Sequence, residues 1–196
     1  MKKNLVTAGL MTIATTILLG IIYPLVVTCL AQVLFPRQAN GQLIRKDGQI
    51  IGSSIIGQGF SGAAYFHSRP SAAGTGYDAA NTNGSQFGPT NQKLIDRVKN
   101  DVATAQSDHP GAEVPIDLLT ASASGIDPHI TPAAAEFQLA RVAKERGSTV
   151  DRLRALVAKH TEGRQLGFLG EARVNVLELN LDLDQQFPAN KQAAAH

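Results

Sequence analysis

The chain has 196 residues, a formal net charge of +2 and a single cysteine, Cys29. One cysteine cannot build a disulfide framework within the chain, and a near-neutral charge without a basic stripe argues against a nucleic-acid partner. About 160 residues follow residue 36, which is enough for one domain with its own apolar core.

Residues 4–35 predict a membrane-spanning helix, because they contain no charged side chain and a spanning helix needs about 20 mostly apolar residues. Two lysines precede the segment and Arg37 follows it. A cleaved signal peptide and a lipid anchor on Cys29 are the alternatives. The segment is roughly twice the length of a signal-peptide core and continues beyond Cys29, so the sequence favours a retained anchor in lipid over residues 1–36.

One flank of this helix carries small side chains spaced four residues apart. Small residues let helix backbones approach closely in lipid. Pro24 cannot donate to the Gly20 carbonyl, and a neighbouring helix would cover that carbonyl. Lone anchors also contain small residues, so the spacing leaves both interpretations open. The predicted helix-packing interface consists of Ala8, Thr12, Thr16, Gly20 and Pro24.

The charges that flank the anchor do not decide its orientation, since basic residues lie on both sides. A very short N-terminal tail before a long domain favours a signal anchor whose domain is exported. The sequence therefore predicts an α+β fold class. A single N-terminal transmembrane helix precedes one mixed soluble domain, the extracytoplasmic residues 37–184, and a flexible tail follows at 185–196.

The predicted domain begins with a hairpin and a long loop. Asp47-Gly48 separates residues 42–46 from 49–56, and an Asp-Gly pair between such segments favours a tight β-turn. Residues 57–88 are rich in Gly, Ser, Ala and Asn and have no sustained period. A segment of this kind is either a binding loop or disordered. Its aromatic residues favour an ordered, functional loop.

Three helices are predicted after this loop. The first covers residues 92–106, with Thr90 or Asn91 as its cap. The second begins with Thr131 as cap and Pro132 as first residue, and it ends at Gly147. The third opens with an S-x-x-D capping motif that starts at Ser148. Their predicted buried residues are Leu94, Ile95, Val98 and Val102 in the first helix and Leu153, Leu156 and Val157 in the third.

Residues 174–183 predict a final, half-buried strand, because four leucines alternate there with polar residues. The parity of the pattern slips by one residue at Val176-Leu177. A β-bulge would explain that slip.

Few residues suggest chemistry. Residues 57–62 match G-x-G-x-x-G, but extended sequence with Pro70 follows in place of a helix, so a flexible turn is favoured over a cofactor site. Asp127 and His129 lack a second close pair of ligands, and a structural role is favoured over metal binding. We identify no catalytic residue and no metal ligand set. The pattern favours an accessory subunit or a binding module.

Four long motifs, in this order after one apolar helix, resemble the C subunit of the bacterial potassium-transporting Kdp P-type ATPase. They cover residues 65–72, 84–91, 120–130 and 170–177. Phe87 and Ala172 depart from the residues common in that family. The motif residues that the resemblance singles out are Tyr65, Phe66, Arg69, Pro70, Gly88, Pro89, Asn91, Asp127, Pro128, His129, Arg173 and Asn175.

The resemblance implies a non-catalytic subunit of an ATP-driven potassium uptake complex in the bacterial inner membrane, with its domain in the periplasm. Its implied partners are a channel-like subunit that carries potassium and a P-type subunit that uses ATP. The chain itself would need no cofactor. It would support assembly and act as a catalytic chaperone that raises the ATP affinity of the pump subunit. A membrane-anchored extracytoplasmic solute-binding protein or hydrolase is the alternative.

Overall fold

The computed structural model describes residues 1–109 and 111–188. They divide into two units, one covering Met1–Ser53 and the other starting at Ser54. The first unit contains the apolar helix and a hairpin, and the second contains the helices and the small sheet of the soluble domain. The architecture agrees with the predicted fold class of one apolar helix followed by a mixed α and β region.

The apolar helix is continuous from Lys2 to Leu34, with a mean hydropathy of 2.3, and none of that apolar stretch is buried. It consists of α1 (Lys2–Ile17), a π-helical turn (Leu18–Ile22) and α2 (Tyr23–Leu34), and a short α3 (Pro36–Ala39) follows. Its length and composition suffice to cross a membrane. Its exposure distinguishes it from the core helix of a soluble protein.

The π-helical turn contains Gly20, whose carbonyl Pro24 cannot bond, and it ends two residues before Pro24. The Tyr23 N–H donates to the Leu18 carbonyl, five residues back. Proline cannot continue the normal hydrogen-bond ladder, and the wider turn accommodates that loss. The hydroxyls of Thr7, Thr12 and Thr15 donate to carbonyls four residues earlier, at 2.8–3.0 Å. These polar side chains are thereby satisfied within the helix itself.

The predicted hairpin is confirmed. Strand β1 (Leu43–Lys46) pairs antiparallel with β2 (Gln49–Ser53), and Lys46 faces Gln49 across the turn. Asp47 and Gly48 both have positive φ, at 51° and 80°. That pair of left-handed residues matches the twist of the flanking strands, which explains why Asp-Gly occurs here.

Within its described residues, the second unit combines four α-helices with a three-stranded antiparallel sheet. The strand order is β3-β5-β4, with His129 opposite Asn175 and Thr161 opposite Val174. The elements are α4 (Gln92–Asp108), a 3-10 turn (Ile116–Leu118), β3 (His129–Ile130), α5 (Pro132–Arg146), α6 (Val150–Lys159), β4 (Thr161–Glu162), β5 (Arg173–Asn175) and α7 (Val176–Gln186).

The core lies between α5, α6, α7 and β5, and Phe66 from the long loop fills its remaining side. Apolar side chains from these elements are fully shielded from solvent. They include Phe66, Leu139, Val142, Leu153, Val174, Leu179 and Leu183. Sequestering such residues is the main favourable term in folding, about 25 cal/mol for each Å² of apolar surface removed from water.

Most of the predicted helix boundaries are confirmed. The Thr131 hydroxyl accepts from the Ala134 N–H at 3.1 Å, and Gly147 ends α5 with φ +60°. Asn91, and not Thr90, caps α4, since its side chain accepts from the Lys93 N–H at 2.9 Å. The apolar face predicted for α4 is only half-buried.

The capping motif predicted at Ser148 is wrong. Helix α6 starts at Val150 with Thr149 as its cap residue, and no side chain makes a cap hydrogen bond. Because the helix starts later than the motif requires, the Asp151 carboxylate does not reach back, and it pairs with Arg154 at 2.7 Å. The predicted core residues of this helix, Leu153, Leu156 and Val157, are buried as expected.

The strand predicted for residues 174–183 is also wrong beyond its first two residues. Only Arg173–Asn175 is a strand, and a helix starts directly at Val176. The Asn175 side chain accepts from the Glu178 N–H at 3.1 Å and caps that helix. The slip in parity therefore marks a strand-to-helix boundary and not a bulge. Helix α7 continues through Gln186, and the last part of the predicted tail, residues 189–196, lies outside the described residues.

Candidate functional site

A cleft of 330 Å³ in the second unit brings together charged residues from several parts of the chain. Four of its residues belong to the motif set singled out from the sequence. Of its other two charged residues, Glu171 lies within the motif at 170–177 and Asp117 lies in no motif. The charged residues of the cleft are Arg69, Asp117, Asp127, His129, Glu171 and Arg173.

Arg69 is held on one wall of the cleft by three hydrogen bonds. Its Nε donates to the Thr120 carbonyl at 3.3 Å and its Nη2 to the Thr120 hydroxyl at 3.2 Å. Its Nη1 donates to Asp127 Oδ2 at 3.3 Å. The planar guanidinium can make such divergent bonds at once, and a lysine at this position could not.

Asp127 links this arginine to the sheet. Its Oδ1 accepts from the His129 backbone N–H at 3.0 Å, and His129 Nδ1 lies 3.5 Å from the same oxygen. Burial raises the pKa of Asp127, but the bonds from His129 and the charges of His129 and Arg69 outweigh burial and hold that pKa below its ordinary value. The anionic form of this carboxylate is therefore favoured, between the Arg69 guanidinium and the His129 ring.

Asp117 supports the N-terminus of α5 from the floor of the cleft. This carboxylate is buried and accepts from the Thr131 N–H at 2.7 Å and from the Thr131 hydroxyl at 3.2 Å. A negative charge is favourable at a helix N-terminus because unpaired N–H groups and the helix dipole meet there. Sequence reasoning missed this residue, since nothing in the local pattern connects positions fourteen residues apart.

Arg173 closes the far side of the cleft. Its guanidinium donates twice to Glu162 Oε2, at 2.9 and 2.8 Å, across the β4–β5 pair. Both side chains are exposed, so this pair contributes little to stability. Its position beside Glu171 gives the rim of the cleft a mixed charge.

Tyr65 and Phe66 do not line the cleft. The Phe66 backbone N–H donates to Asn180 Oδ1 at 2.9 Å, and the Phe66 carbonyl accepts from Asn180 Nδ2 at 2.9 Å. Gln138 makes the same two-way contact with His67, at 2.7 and 3.1 Å. Sequence reasoning identified neither Asn180 nor Gln138 as a residue that holds the loop. The strand interpretation placed Asn180 on the solvent side, which concealed its role.

Tyr65 packs instead on Arg146, whose side chain is fully shielded from solvent. The guanidinium lies 4.6 Å from the centre of the Tyr65 ring and pairs with Asp184 at 2.8 Å. It also donates to the carbonyls of Ala64 and Phe187. The arginine therefore connects the long loop to α7 from the end of α5.

The remaining motif residues hold the chain in place around the cleft. Pro89 lies in the turn that leads into α4. This turn is closed by a hydrogen bond from the Asn91 N–H to the Gly88 carbonyl at 3.0 Å. The Pro128 carbonyl accepts from the Val176 N–H at 2.9 Å. Asn175 Nδ2 donates to the Ser54 carbonyl at 2.6 Å. Pro70 follows Arg69 and lines a second cleft, of 300 Å³, with residues of α4 and α5.

The long loop is ordered, as predicted. The Tyr77 hydroxyl donates to the Arg69 carbonyl, and the Tyr77 N–H donates to Ser71 Oγ at 2.8 Å. A Cβ on Gly57 would lie 2.6 Å from the Asp127 carbonyl oxygen, so close packing requires glycine there. No helix opens at Gly62, although a dinucleotide site would need one there, and residues 57–61 are irregular. The flexible turn at G-x-G-x-x-G stays a prediction.

The cleft suits polar recognition or structural support more than bond-breaking chemistry. Its lining carries both arginine and carboxylate side chains, and Arg69, Asp127 and His129 contact one another. Among residues 1–109 and 111–188, no three His, Cys, Asp or Glu side chains group as metal ligands. The absence of a catalytic residue stays a prediction.

The predicted helix-packing flank lies on the exposed apolar helix. Its side chains lie along the helix without burial, and the Thr12 hydroxyl bonds to the Ala8 carbonyl at 2.9 Å. A Cβ on Gly20 would be 3.9 Å from Thr16 Cγ2, an ordinary contact, so the helix itself does not require glycine there. Whether Ala8, Thr12, Thr16, Gly20 and Pro24 meet another helix stays a prediction.

Comparison with known proteins identifies the family. Residues 5–185 match the family model described as KdpC: K+-transporting ATPase, c chain. A protein of Koribacter versatilis is 65% identical over 188 residues, covering 96% of this chain and 97% of that protein. Proteins of Rhodospirillum rubrum (56% over 190 residues, 96% and 98% coverage) and Acidobacterium capsulatum (57% over 183 residues, 93% and 98% coverage) are also similar. All three are described as Potassium-transporting ATPase KdpC subunits.

Proposed function

The chain belongs to the KdpC family of potassium-transporting ATPase subunits, and from this membership we propose that it is a non-catalytic, single-pass accessory subunit of such a complex. In this proposal it assembles with a channel-like subunit that carries potassium and with a P-type subunit that hydrolyses ATP. Potassium and ATP are handled by those partners, in the bacterial inner membrane. The domain lies on the periplasmic side.

Beside the family membership, the single structural observation that supports this proposal is the exposed apolar helix with its flank of small side chains. None of its apolar stretch is buried within the chain. In lipid, association between helices depends on close van der Waals packing, and small residues permit that approach. The π-helical turn before Pro24 leaves backbone groups that a neighbouring helix can cover. Assembly through this flank is therefore the function that the helix supports best.

The second part of the proposal concerns the domain. An exported domain cannot touch ATP in the cytoplasm, so a catalytic chaperone effect on ATP affinity has to act through other subunits. Such coupling is typically about 1–3 kcal/mol, or roughly 5–150-fold in affinity. The same domain can cap the ion entrance, and its rigid, well-packed core suits that role. Measuring the KM for ATP of the pump with and without the chain tests the coupling, and an unchanged KM would refute it.

Assembly is tested by enlarging one small residue on the flank. We expect Thr16→Leu to lower the yield of partner subunits that co-purify with the tagged chain in mild detergent, because a larger side chain holds the helices apart. Ala14→Leu is the matched control. At about 100° per residue, Ala14 lies on nearly the opposite side of the helix from the flank. Equal yields from both variants, or a wild-type chain that purifies alone, would contradict the proposal.

A further inference from the structure

The hairpin that follows the apolar helix has one face that is both apolar and basic. Leu43 and Ile50 are 46% and 53% exposed, and Arg45 is exposed beside them. Leu43 and Arg45 lie two positions apart on β1, and Arg45 is directly opposite Ile50 on β2. Since side chains alternate between the two faces of a strand and directly opposite residues share a face, all three lie on the same face. Ile44 belongs to the other face and is half-buried.

The hairpin belongs to the same unit as the apolar helix and is attached closely to its end. Asn40 Nδ2 donates to Gln32 Oε1 at 3.0 Å, which connects the residue after α3 to the last turns of α2. At the base of the hairpin, the Ser53 hydroxyl donates to the Gly41 carbonyl at 2.6 Å. At about 3.3 Å per residue, strands this short place the tip no more than about 15 Å from that base. The hairpin is therefore within reach of lipid headgroups around the end of the helix.

Positive charge is concentrated in this short segment. Residues 36–53 contain three basic residues and one acidic residue, a net charge of +2, whereas residues 54–196 contain 13 basic and 15 acidic residues, a net charge of −2. Within residues 1–109 and 111–188, the side chains of Arg45 and Lys46 have no carboxylate partner. In the second unit, by comparison, Arg146 pairs with Asp184 at 2.8 Å. An anionic membrane surface attracts each such basic residue by about fivefold in binding.

This combination of side chains favours lipid over another protein as the partner. In segments that lie at a membrane interface, apolar side chains contact the upper acyl chains while long basic side chains extend to the headgroups. The hairpin face has both kinds of side chain, and it directly follows the exposed apolar helix that we assign to lipid. The core of a protein interface, in contrast, is depleted in charged residues.

We propose that the face formed by Leu43, Arg45 and Ile50, with Lys46 at its edge, lies on the bilayer that anchors the chain and binds the headgroups of anionic phospholipids. This inference rests on the proposed function, because it requires the apolar helix to be in the membrane. It adds a second lipid contact, at the membrane surface. That contact fixes the direction in which the chain leaves the bilayer, directly before the second unit begins.

Lipid quenching of a single tryptophan tests the contact. The chain contains no tryptophan, so Ile50→Trp introduces a unique fluorophore. The full chain is reconstituted without other subunits in vesicles of equal parts phosphatidylcholine and phosphatidylglycerol, brominated near the top of the acyl chains. We expect strong quenching at position 50 and weaker quenching in Gln49→Trp, the neighbouring position on the opposite face. Tryptophan itself favours a membrane interface, and this control carries the same bias.

Three results would overturn the proposal. The first is equal quenching in the two variants. The second is quenching of Ile50→Trp that is as strong in vesicles of phosphatidylcholine alone, because the headgroup charge would then have no effect. The third is protection of position 50 from iodide only when the other subunits are reconstituted with the chain, because a protein would then cover the face.

Removing the charges gives a second measurement. Arg45→Gln with Lys46→Gln, in the Ile50→Trp chain, removes two cationic side chains and keeps the apolar ones. We expect the equilibrium constant for the lipid-bound hairpin, obtained from the quenching, to fall by about 10- to 30-fold. The fall should be smaller at high salt, which screens the attraction. Lys93→Gln with Lys99→Gln removes the same charge from exposed positions of α4 and should leave the constant unchanged. Equal effects of the two pairs would refute the proposal.

The outcome for the proposed function stays separate. If alkaline carbonate extracts the chain from the vesicles, the helix is not a membrane anchor and the proposed function fails. If the chain stays in the vesicles but position 50 is not quenched, only the hairpin contact is excluded.

Discussion

The side-chain amide of Asn180 donates one hydrogen bond to the Phe66 backbone and accepts another from it. The amide of Gln138 does the same with the His67 backbone. The segment at Phe66-His67 has no neighbouring strand in the described structure, so these two amides satisfy its backbone. Buried backbone groups cost free energy when they have no partner. The residue type at both positions is therefore dictated by the loop, although the amides belong to helices α7 and α5.

We expect Asn180→Leu to lower the free energy of unfolding by about 2–6 kcal/mol. The substitution keeps the branched shape of the side chain but leaves the Phe66 N–H and carbonyl buried without partners, at about 1–3 kcal/mol each. Thermal unfolding of the full chain in detergent, followed by circular dichroism, measures the loss. Asn100→Leu on the exposed surface of α4 is the control. If both variants melt at the same temperature, the amide contact does not stabilise the loop.

A second residue prediction concerns pH. Bonds from Lys159 lower the pKa of Asp182 far below its ordinary value, with further bonds from His160 and Gln186, although burial opposes the shift. A carboxyl group whose folded-state pKa is lowered stabilises the fold above its unfolded-state pKa, near about 3.9. That contribution disappears as the pH falls through the folded-state pKa.

We therefore expect Asp182→Asn to melt below the wild type at about pH 7, and the difference to shrink as the pH falls below about 4. Asp151→Asn, at a carboxylate exposed to solvent, is the control. Melting temperatures measured from neutral to acidic pH provide the comparison. A gap between Asp182→Asn and the wild type that stays constant with pH would show that the carboxylate is not stabilised as the geometry indicates.

Single residues also show where sequence reasoning stops. The motifs identified Arg69, Asp127 and His129 as residues of interest. They did not show that the three side chains contact one another, because a long stretch of chain separates the arginine from the other two. Asp117 carried no motif at all, yet its carboxylate supports the helix N-terminus beside them. Local patterns identify residue types suited to a role, whereas contacts between distant positions depend on the complete fold.

At the scale of elements, several turns and helix ends were predicted correctly because their chemistry is local, although the capping motif at Ser148 was not. Asp-Gly in the hairpin, Thr131-Pro132 at the start of α5 and Gly147 at its end each act within a few residues. The prediction of a strand at residues 174–183, where the structure has helix α7, was wrong because it too relied on a local pattern. Four leucines at alternate positions imitate a strand, while the cap that starts the helix, Asn175, lies inside the predicted strand.

The burial pattern along α7 gives a test that separates helix from strand. A strand would place Leu179 and Leu181 on the same buried side, whereas the helix buries Leu179 and leaves Leu181 half-exposed. We expect Leu179→Asn to lower the free energy of unfolding by about 3 kcal/mol or more, because it creates a void and buries an unpaired amide. Leu181→Asn should lower it by less than about 1 kcal/mol. Similar losses would favour the strand, and denaturant titration measures both.

At the scale of the whole molecule, the family was identified from the sequence because its motifs are long and irregular, and the match over residues 5–185 confirms it. The helix of the first unit is exposed throughout, so the fold alone does not explain its composition. A membrane explains the apolar composition, and contact of this helix with a partner stays a proposal. The side of the membrane on which the domain lies follows from neither charge nor fold, because basic residues flank the helix on both sides.

Labelling with an impermeant maleimide in intact cells decides that orientation. Cys29 is first replaced by serine, since it is the only native cysteine and lies inside the helix. Lys99→Cys then places a reporter on the exposed side of α4, and Lys3→Cys places one in the first turn of the apolar helix, at its N-terminal end. If the domain is exported, Lys99→Cys reacts in intact cells, while Lys3→Cys reacts only after the cells are opened. The reverse pattern would put the domain in the cytoplasm. Direct contact with ATP would then become possible, and the coupling through partner subunits would no longer be required.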